Sequence, residues 1–188
     1  MTSQHGGLPP SAWVQRWSAL VPAGARVLDL ACGAGRHARW FATRRARVTA
    51  VDRDAQAVAP LRTLPGAPVE VIVADIENAP WPLPGRRFDA VVVTNYLWRP
   101  LLPTLVASVA DDGGVLIYET FARGNETVGK PSNPAFLLEP GELLRVVEGL
   151  RVIAFEDGFV SGDAPRFVQR IVAVREQPTS GAPPRRAL

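Results

Sequence analysis

Short apolar runs alternate with amphipathic patterns along most of the chain. The runs are rich in Val, Ile and Leu, which favours strands, and the segments between them repeat apolar residues at helical spacing. Strands are predicted at residues 26–31, 47–51, 69–74, 88–93, 114–119, 150–155 and 166–174. Helices are predicted at residues 12–20, 35–46, 101–110 and 140–148, with a short helix that Asp54 caps and that runs to Val58.

This alternation predicts an α/β fold with a doubly wound, mostly parallel sheet of seven strands and helices on both faces, in a Rossmann-like arrangement. No long helix separates the last two strands, so we expect them to pair as antiparallel neighbours. In such sheets, ligands bind outside the carboxyl ends of the strands, where the strand order reverses. The chemistry is therefore expected in the loops that follow the strands.

Composition agrees with a globular domain, because 47% of the 188 residues are hydrophobic and 21% are charged, unlike a disordered chain or a coiled coil. Both ends are rich in Pro and Gly, so residues 1–10 are expected to be flexible and residues 177–188 disordered, with one folded domain over residues 11–176. The single cysteine, Cys32, excludes an internal disulfide and a multi-cysteine zinc site, and no metal is predicted. Without a secretory signal or an apolar run long enough for a membrane span, a cytoplasmic location with no membrane partner is expected.

The net positive charge of the chain is small. Lys and Arg number 21 and Asp and Glu number 18, which gives a net charge of +3, and two of the arginines, Arg185 and Arg186, lie in the tail. The remaining excess is too weak to favour a nucleic acid as partner. A small molecule is the expected partner, and the protein is expected to be a monomer or a homodimer.

The most informative stretch is the loop after the first predicted strand, VLDLACGAGRHA. Gly33 and Gly35 lack a β-carbon, so the backbone can turn tightly and approach a ligand, and the helix that follows offers free N–H groups to an anion. Asp52 ends the second strand, at the position where a carboxylate reaches a ribose diol. Together, the glycine pair and this acid predict a nucleotide-like ligand.

Asp29 narrows the choice of ligand. The loop also fits the dinucleotide pattern G-x-G-x-x-A, but a dinucleotide-binding strand normally carries an apolar residue at this position. A buried carboxylate is costly unless it is paired. Its partners would be loop N–H groups and the ammonium of an amino acid joined to a nucleoside, which describes S-adenosylmethionine.

The chain resembles the class I S-adenosylmethionine-dependent methyltransferases over residues 27–174. VLDLACGAG resembles their first motif with Ala31 in place of its first glycine, VTAVD the second and VIVADIEN the third, while FDAVVVTNYL and DDGGVLIYE are similar to the fourth and fifth. The first stretch and the later FLLEPGEL are also similar to small enzymes of the tellurite-resistance methyltransferase type.

This resemblance implies that S-adenosylmethionine is the cofactor and that the chain is a methyltransferase. Asp75 would face the adenine amino group and Ile76 the adenine ring. Arg36, at the start of the following helix, would either hold the cofactor carboxylate as a fork or be a solvated arginine. The acceptor atom, O, N, S or metalloid, would attack the methyl group in line. The residues predicted to bind the cofactor are Asp29, Ala31, Gly33, Gly35, Arg36, Asp52, Arg53, Asp75, Ile76 and Thr94.

The acceptor side is less defined by sequence. Glu119, which ends the fifth strand, is a candidate general base or a rim carboxylate, and Tyr96 with Trp98 would form either an aromatic wall or part of the core. Residues 121–134 form a long polar loop of the kind that serves as a lid or binding loop. Cys32 is interpreted as a small packing residue and His37 as a helix-surface residue.

Two other functions stay open from the sequence alone. An NAD-binding Rossmann oxidoreductase would also use the glycine loop, although Asp29 and the short chain disfavour it. A non-catalytic S-adenosylmethionine-binding regulatory protein stays open because the sequence provides no assured catalytic base.

Overall fold

A computed structural model describes residues 8–65 and 68–176 of the chain. The predicted disordered tail and most of the predicted flexible N-terminus, residues 1–7, lie outside the described residues. The strands are β1 Arg26–Leu30, β2 Arg47–Asp52, β3 Val69–Val73, β4 Ala90–Thr94, β5 Val115–Phe121, β6 Arg151–Val160 and β7 Arg166–Val174.

The strands form one seven-stranded sheet in the order β3-β2-β1-β4-β5-β7-β6. Strands β1 to β5 pair in parallel, whereas β7 runs antiparallel to both β5 and β6. The predicted α/β class and the antiparallel last strands are thus confirmed. Because β2 and β4 flank β1 on opposite sides, the strand order reverses between β1 and β4, where ligands of this architecture bind.

Among the described residues, five α-helices cover the two faces of the sheet. Apolar side chains of α1, α2 and α3 join one core cluster, and those of α4 and α5 join the other. Central strands therefore bury both faces, as their nearly continuous apolar sequences require. The helices are α1 Ala12–Trp17, α2 Arg36–Thr43, α3 Ala55–Val58, α4 Leu102–Ala107 and α5 Glu142–Val146.

Several predicted element boundaries were wrong by a few residues. The helix predicted at 35–46 ends at Thr43, because the chain turns at Arg45, whose φ is +63°. The helix predicted at 12–20 continues after Trp17 as a 3₁₀ turn. Strand β4 starts at Ala90, since Phe88 pairs only in an isolated bridge with Val109.

Among the described residues, no helix is long and apolar enough to cross a membrane.

Candidate active site

A cavity of about 480 Å³ opens at the carboxyl edge of the sheet, beside the point where the strand order reverses. We call it the edge cavity. Five of the predicted cofactor residues line it: Ala31, Asp52, Arg53, Asp75 and Ile76. A larger cavity of about 1260 Å³ lies at the opposite edge of the sheet, beside the strand starts Arg26, Arg47 and Val69. Ligands of such sheets bind at the carboxyl edge, so the edge cavity is the candidate site.

The loop between β1 and α2 owes its shape to left-handed backbone at three positions. Ala31 has φ +50°, Gly33 +54° and Gly35 +77°. Gly35 is doubly constrained, because a Cβ there would also collide with the side chain of Leu61. The turn closes through the Gly35 N–H, which donates to the Cys32 carbonyl at 2.9 Å. A non-glycine residue at Ala31 stores backbone strain next to the cavity, a pattern common at functional sites.

Asp29 is buried beneath this loop, on the strand face that α2 covers. Its Oδ2 accepts a hydrogen bond from the Ala38 N–H of α2 at 2.8 Å. The sequence predicted a partner in the loop, but the observed backbone partner lies in the helix. Its Oδ1 is buried and has no partner among the described residues. Burial raises the pKa of Asp29 to about 7, although the Ala38 N–H and the Arg36 charge oppose the rise.

Asp52 joins the glycine loop to the end of β2. Its Oδ2 accepts from the Gly33 N–H at 2.7 Å and its Oδ1 from the Asp54 N–H at 2.9 Å. Each carboxylate oxygen accepts one backbone bond and keeps a second lone pair for a ligand hydroxyl. The structure thus places the predicted ribose-binding acid at the cavity wall, in contact with the loop.

Asp75 and Ile76 follow β3 in a tight turn at the cavity edge. The Asp75 carboxylate accepts from the backbone N–H of Glu77 at 3.0 Å and of Asn78 at 3.2 Å. It also accepts from the Asn78 amide at 2.9 Å, and this bond is the main reason that the pKa of Asp75 is lowered. The turn holds Asp75 in a fixed position while leaving it at the surface of the cavity.

Tyr96 lines the edge cavity from the loop after β4. Its ring packs against the core cluster on the α4 face, where Trp98 also packs, so the two residues are partly core. The Tyr96 hydroxyl is buried without a hydrogen-bond partner in the described part of the chain. Burial, together with the nearby Glu77 carboxylate, raises the pKa of Tyr96 well above its usual value. A phenol in this state is a poor general base at neutral pH.

A second cavity of about 250 Å³ lies next to the edge cavity and shares Asn95 and Phe121 with it. We call it the N-terminal cavity, because the start of α1 covers it. Ser11, Ala12 and Trp13 line it, together with the arginines Arg36, Arg166 and Arg170 and the carboxylate Glu119. Arg36 therefore lies in this cavity and not in the edge cavity.

Glu119 is not a rim carboxylate, because its side chain is only 6% exposed. Its Oε1 accepts from the Ser11 hydroxyl at 2.8 Å, and its Oε2 lies 3.5 Å from the Arg170 guanidinium. β5 and β7 place Glu119 and Arg170 directly opposite each other. A carboxylate with both oxygens occupied and a cation beside it is a structural anchor rather than a free base.

The interpretation of His37 as a helix-surface residue is wrong, because α2 turns this side chain inward and leaves it only 1% exposed. Its Nε2 accepts from the Ser11 backbone N–H at 3.1 Å, which leaves Nδ1 to carry the proton and face the Thr94 hydroxyl at 3.4 Å. Burial, with the adjacent Arg36 charge, lowers the pKa of His37 to about 3. Thr94 does not line the edge cavity, whereas the next residue, Asn95, does.

Cys32 is buried, as expected of a packing residue, and burial raises the pKa of its thiol well above the usual range. The polar loop at residues 121–134 is anchored at Asn125. The Asn125 amide donates to the Pro131 carbonyl at 2.9 Å and accepts from the Phe167 N–H at 3.2 Å. This anchoring presents Pro131 and Phe136 as one wall of the edge cavity.

Sequence reasoning missed several residues that line the two cavities. Arg166 and Arg170 belong to the alternation Arg166, Val168, Arg170, Val172, Val174, which places them on the face of β7 that α1 covers. Because charged and apolar residues share this strand face, the sequence pattern could have indicated a buried or partly buried charged group there. Ser11, Glu77, Leu97 and Phe136 gave no comparable signal. Among the described residues, no group of three or more His, Cys, Asp or Glu side chains could hold a metal ion.

Comparison with known proteins agrees with this geometry. Residues 27–111 match the family model described as a methyltransferase domain. TehB from Haemophilus influenzae superposes with a TM-score of 0.70 at 18% identity over 87% of this chain, which spans 61% of TehB. A TehB-like S-adenosylmethionine-dependent methyltransferase from Corynebacterium glutamicum gives 0.64 at 20% identity, covering 89% of both chains. The N-methyltransferase NodS from Bradyrhizobium japonicum gives 0.67 at 18%, covering 87% of this chain and 93% of NodS.

A comparison with curated protein sequences gives no significant match. The domain match and the shared fold favour the methyltransferase prediction over the oxidoreductase alternative. The orphan oxygen of Asp29 and the free lone pairs of Asp52 suit the ammonium and ribose of the cofactor. Residues 27–111 thus match a methyltransferase domain, and the fold is the one that S-adenosylmethionine-dependent methyltransferases of known structure adopt.

Proposed function

We propose that the protein methylates a small-molecule acceptor by direct in-line transfer. The observation that carries the proposal is the pair of adjoining cavities, one lined by the cofactor motifs and the other closed by the start of α1. When bound, S-adenosylmethionine supplies a methyl group activated by its sulfonium. A lone pair of the acceptor forms the new bond to the methyl carbon while the carbon–sulfur bond breaks, and its electron pair stays on sulfur.

Residues of the glycine loop and the ends of β2 and β3 would hold the cofactor. Asp29 would pair with the ammonium, Asp52 with the ribose hydroxyls and Asp75 with the adenine amino group. Ile76 would pack on the adenine ring, and Arg36 would face the carboxylate from the N-terminal cavity. The proposal is supported by the fixed positions of Asp52 and Asp75, each of which is held by backbone N–H groups of its own loop.

The chain's own contribution to the reaction would be binding, alignment and exclusion of water. Glu119 is occupied by Ser11 and Arg170, and the Tyr96 phenol has a raised pKa, so neither suits a general base. An acceptor that is already nucleophilic, such as a thiolate, needs no protein base. Because neither side chain suits a general base, an acceptor of that kind is favoured.

The size and cover of the N-terminal cavity support a small acceptor over a macromolecular one. The cavity has a volume of about 250 Å³ and is covered by Ser11, Ala12 and Trp13. One structural neighbour converts a disulfide bond into a thioacetal group during echinomycin biosynthesis, which is a reaction on a small molecule. The likeness to TehB and a TehB-like enzyme supports a place in the tellurite-resistance-like branch. The cytoplasmic location and the monomer or homodimer state stay predictions.

Calorimetric binding of S-adenosylhomocysteine tests the cofactor half of the proposal. Asp52→Ala is expected to weaken binding by about 1–3 kcal/mol, because buried polar groups lose their partner. Asp54→Ala is the matched control: Asp54 caps α3 through Gln56 and Ala57, so its loss is expected to lower the stability but not the affinity. Unchanged affinity in Asp52→Ala would remove this residue from the ribose role.

Transfer of a labelled methyl group tests the acceptor half. The wild-type protein is offered small thiols, amines and phenols and, separately, a short RNA and a protein extract. Label in the small thiols is the expected result. Label in the RNA or in extract proteins alone would contradict a small-molecule acceptor, and binding without any transfer would favour a regulatory role.

A further inference from the structure

The N-terminal cavity carries an excess of positive charge. Three arginines line it, Arg36, Arg166 and Arg170, against the single carboxylate of Glu119. Guanidinium groups gathered at a partly buried site repel one another and lose hydration, unless an anion offsets them. The distribution of their partners shows which of the three has charge left for a ligand.

Arg170 is already neutralised. Its guanidinium lies 3.5 Å from the Glu119 carboxylate and 3.3 Å from that of Glu156 on the neighbouring strand. It also lies over the Trp13 ring, with 5.4 Å between the guanidinium carbon and the ring centroid. Only 14% of the Arg170 side chain is exposed. Arg170 therefore supports the cavity wall and does not supply an open binding group.

Arg36 and Arg166 have no such partners. Within the described part of the chain, no carboxylate lies at ion-pair distance from either guanidinium, and the only bond of Arg166 is to the Ala164 carbonyl at 3.1 Å. Burial is the main reason that the pKa of Arg36 is lowered; the Glu119 and Asp29 charges oppose this, and Arg166 is close enough to add a smaller lowering effect. Because Arg36 is the proposed partner of the cofactor carboxylate, Arg166 is the guanidinium that remains.

We propose that the methyl acceptor bears a carboxylate or a phosphate group, and that Arg166 binds this group in the N-terminal cavity. The two parallel N–H donors of a guanidinium can bind two oxygens of either group at once, whereas a lysine ammonium is a point charge without this geometry. Trp13 and Phe121 line the same cavity and provide apolar surface for the rest of a small molecule. The inference rests on the proposed function, since it names the substrate class of the same site.

The test compares Arg166→Gln and Arg166→Lys with the wild-type protein. Arg151→Gln is the matched control, because Arg151 is an arginine of the adjacent strand β6 that pairs with Glu176 and does not line the cavity. Affinity for S-adenosylhomocysteine is measured first in every variant and is expected to be unchanged. If the wild-type protein does not bind S-adenosylhomocysteine, the proposed function is contradicted, and not the role of Arg166.

The acceptors are offered in matched pairs that differ in charge. One pair is 3-mercaptopropionate and 3-mercaptopropionamide, and the other is 2-mercaptoethyl phosphate and 2-mercaptoethanol. For at least one pair, kcat/KM of the wild type is expected to be tenfold or more higher for the anion, and the pair that shows it identifies carboxylate or phosphate. Arg166→Gln is expected to lose this preference through a higher KM, Arg166→Lys to keep part of it, and Arg151→Gln to keep all of it.

Equal rates within both pairs, or a preference that survives in Arg166→Gln, would overturn the proposal. If none of these thiols is methylated, the protein saturated with S-adenosylhomocysteine is titrated with propionate and with inorganic phosphate. Binding of either anion at least tenfold tighter in the wild type than in Arg166→Gln supports the proposal. Equal binding in the two proteins overturns it.

Discussion

The two halves of the carboxyl edge are built in different ways. In the half proposed to bind the cofactor, called the cofactor half, at the ends of β1 to β3, the contacts join residues near in sequence. Asp52 and Gly33 are 19 residues apart, and Asp29 and Ala38 are 9 apart. In the half proposed to hold the acceptor, called the acceptor half, at the end of β5 and the start of β7, Ser11 bonds to Glu119 across 108 residues. The first half depends on local backbone geometry, and the second on the docking of distant elements.

This difference explains why one half follows a family pattern and the other does not. A loop that must turn left-handed at Gly33 and Gly35 restricts the residues that it accepts. A cavity assembled from α1, β5 and β7 can change its side chains without disturbing the cofactor loop. Cofactor binding and acceptor choice should therefore respond separately to substitution, and three experiments test that separation.

The largest effect is expected from Gly35→Ala in the cofactor half. The residue has φ +77°, and an added Cβ would collide with Leu61, so left-handed strain and overpacking combine. We expect a loss of about 2–5 kcal/mol in the free energy of unfolding, measured in urea. Binding of S-adenosylhomocysteine should weaken in parallel, because the loop and α2 shift together.

Gly33→Ala is the control within the same loop. Its φ is +54°, but an added Cβ would meet nothing within 4 Å, so only the backbone strain of roughly 1–2 kcal/mol is expected. Equal losses in the two variants would show that packing against Leu61 is unimportant, and would weaken the view that close packing as well as backbone conformation shapes this half.

The second experiment uses the pH dependence of cofactor binding. Burial raises the pKa of Asp29 to about 7, whereas an ammonium ligand needs the ionised carboxylate. Affinity for S-adenosylhomocysteine should therefore rise as the pH increases from 5 through about 7, by up to about 1.4 kcal/mol per pH unit, and level off above. Calorimetry of the wild type and of Asp29→Asn over pH 5–8 measures this rise.

Asp29→Asn should bind more weakly at pH 8 and show a flatter pH profile. The same raised pKa has the opposite sign for the protein without ligand, whose stability from this group is present at low pH and is lost as the pH rises through about 7. An equally steep rise of affinity in the variant would assign the pH dependence to another group.

The smallest effect is expected from Ser11→Ala in the acceptor half. The Ser11 hydroxyl bonds to Glu119 and accepts from the Trp13 and Val14 N–H groups at the start of α1. We expect the free energy of unfolding to fall by about 1–2 kcal/mol, as is typical of a lost N-cap. Affinity for S-adenosylhomocysteine should not change, while the KM for an acceptor that the protein methylates should rise.

Ser18→Ala, at the other end of α1, is the matched control. The Ser18 hydroxyl bonds only to the Gln15 carbonyl, at 2.7 Å, and does not face the cavity. It should lower stability by a comparable or smaller amount and leave the KM for the acceptor unchanged. If both variants raised that KM equally, the link between Ser11 and Glu119 would have no particular part in forming the cavity.

Much of the fold and the cofactor half could be predicted, because the signals there are local. Strand periodicity predicted seven strands, six of them within two residues of their observed bounds, whereas β6 runs to Val160, five residues past its predicted end. The short link between β6 and β7 indicated their antiparallel pairing. Asp52 and Asp75 lie in the edge cavity as predicted. The surface positions expected for His37 and for Glu119 as a rim carboxylate were wrong, because burial of these two side chains depends on α1 packing against the sheet.

The sequence by itself determined the order of strands and helices, the left-handed glycine loop and the acids that follow β2 and β3. These features depend on backbone conformation and on residues within one or two elements. Only the tertiary structure decided that Ser11 closes a second cavity, that Glu119 is bound by Ser11 and Arg170, and that Arg166 keeps an unpaired charge. Those outcomes depend on which side chains come into contact when α1, β5 and β7 pack together, and spacing along the sequence does not specify such contacts.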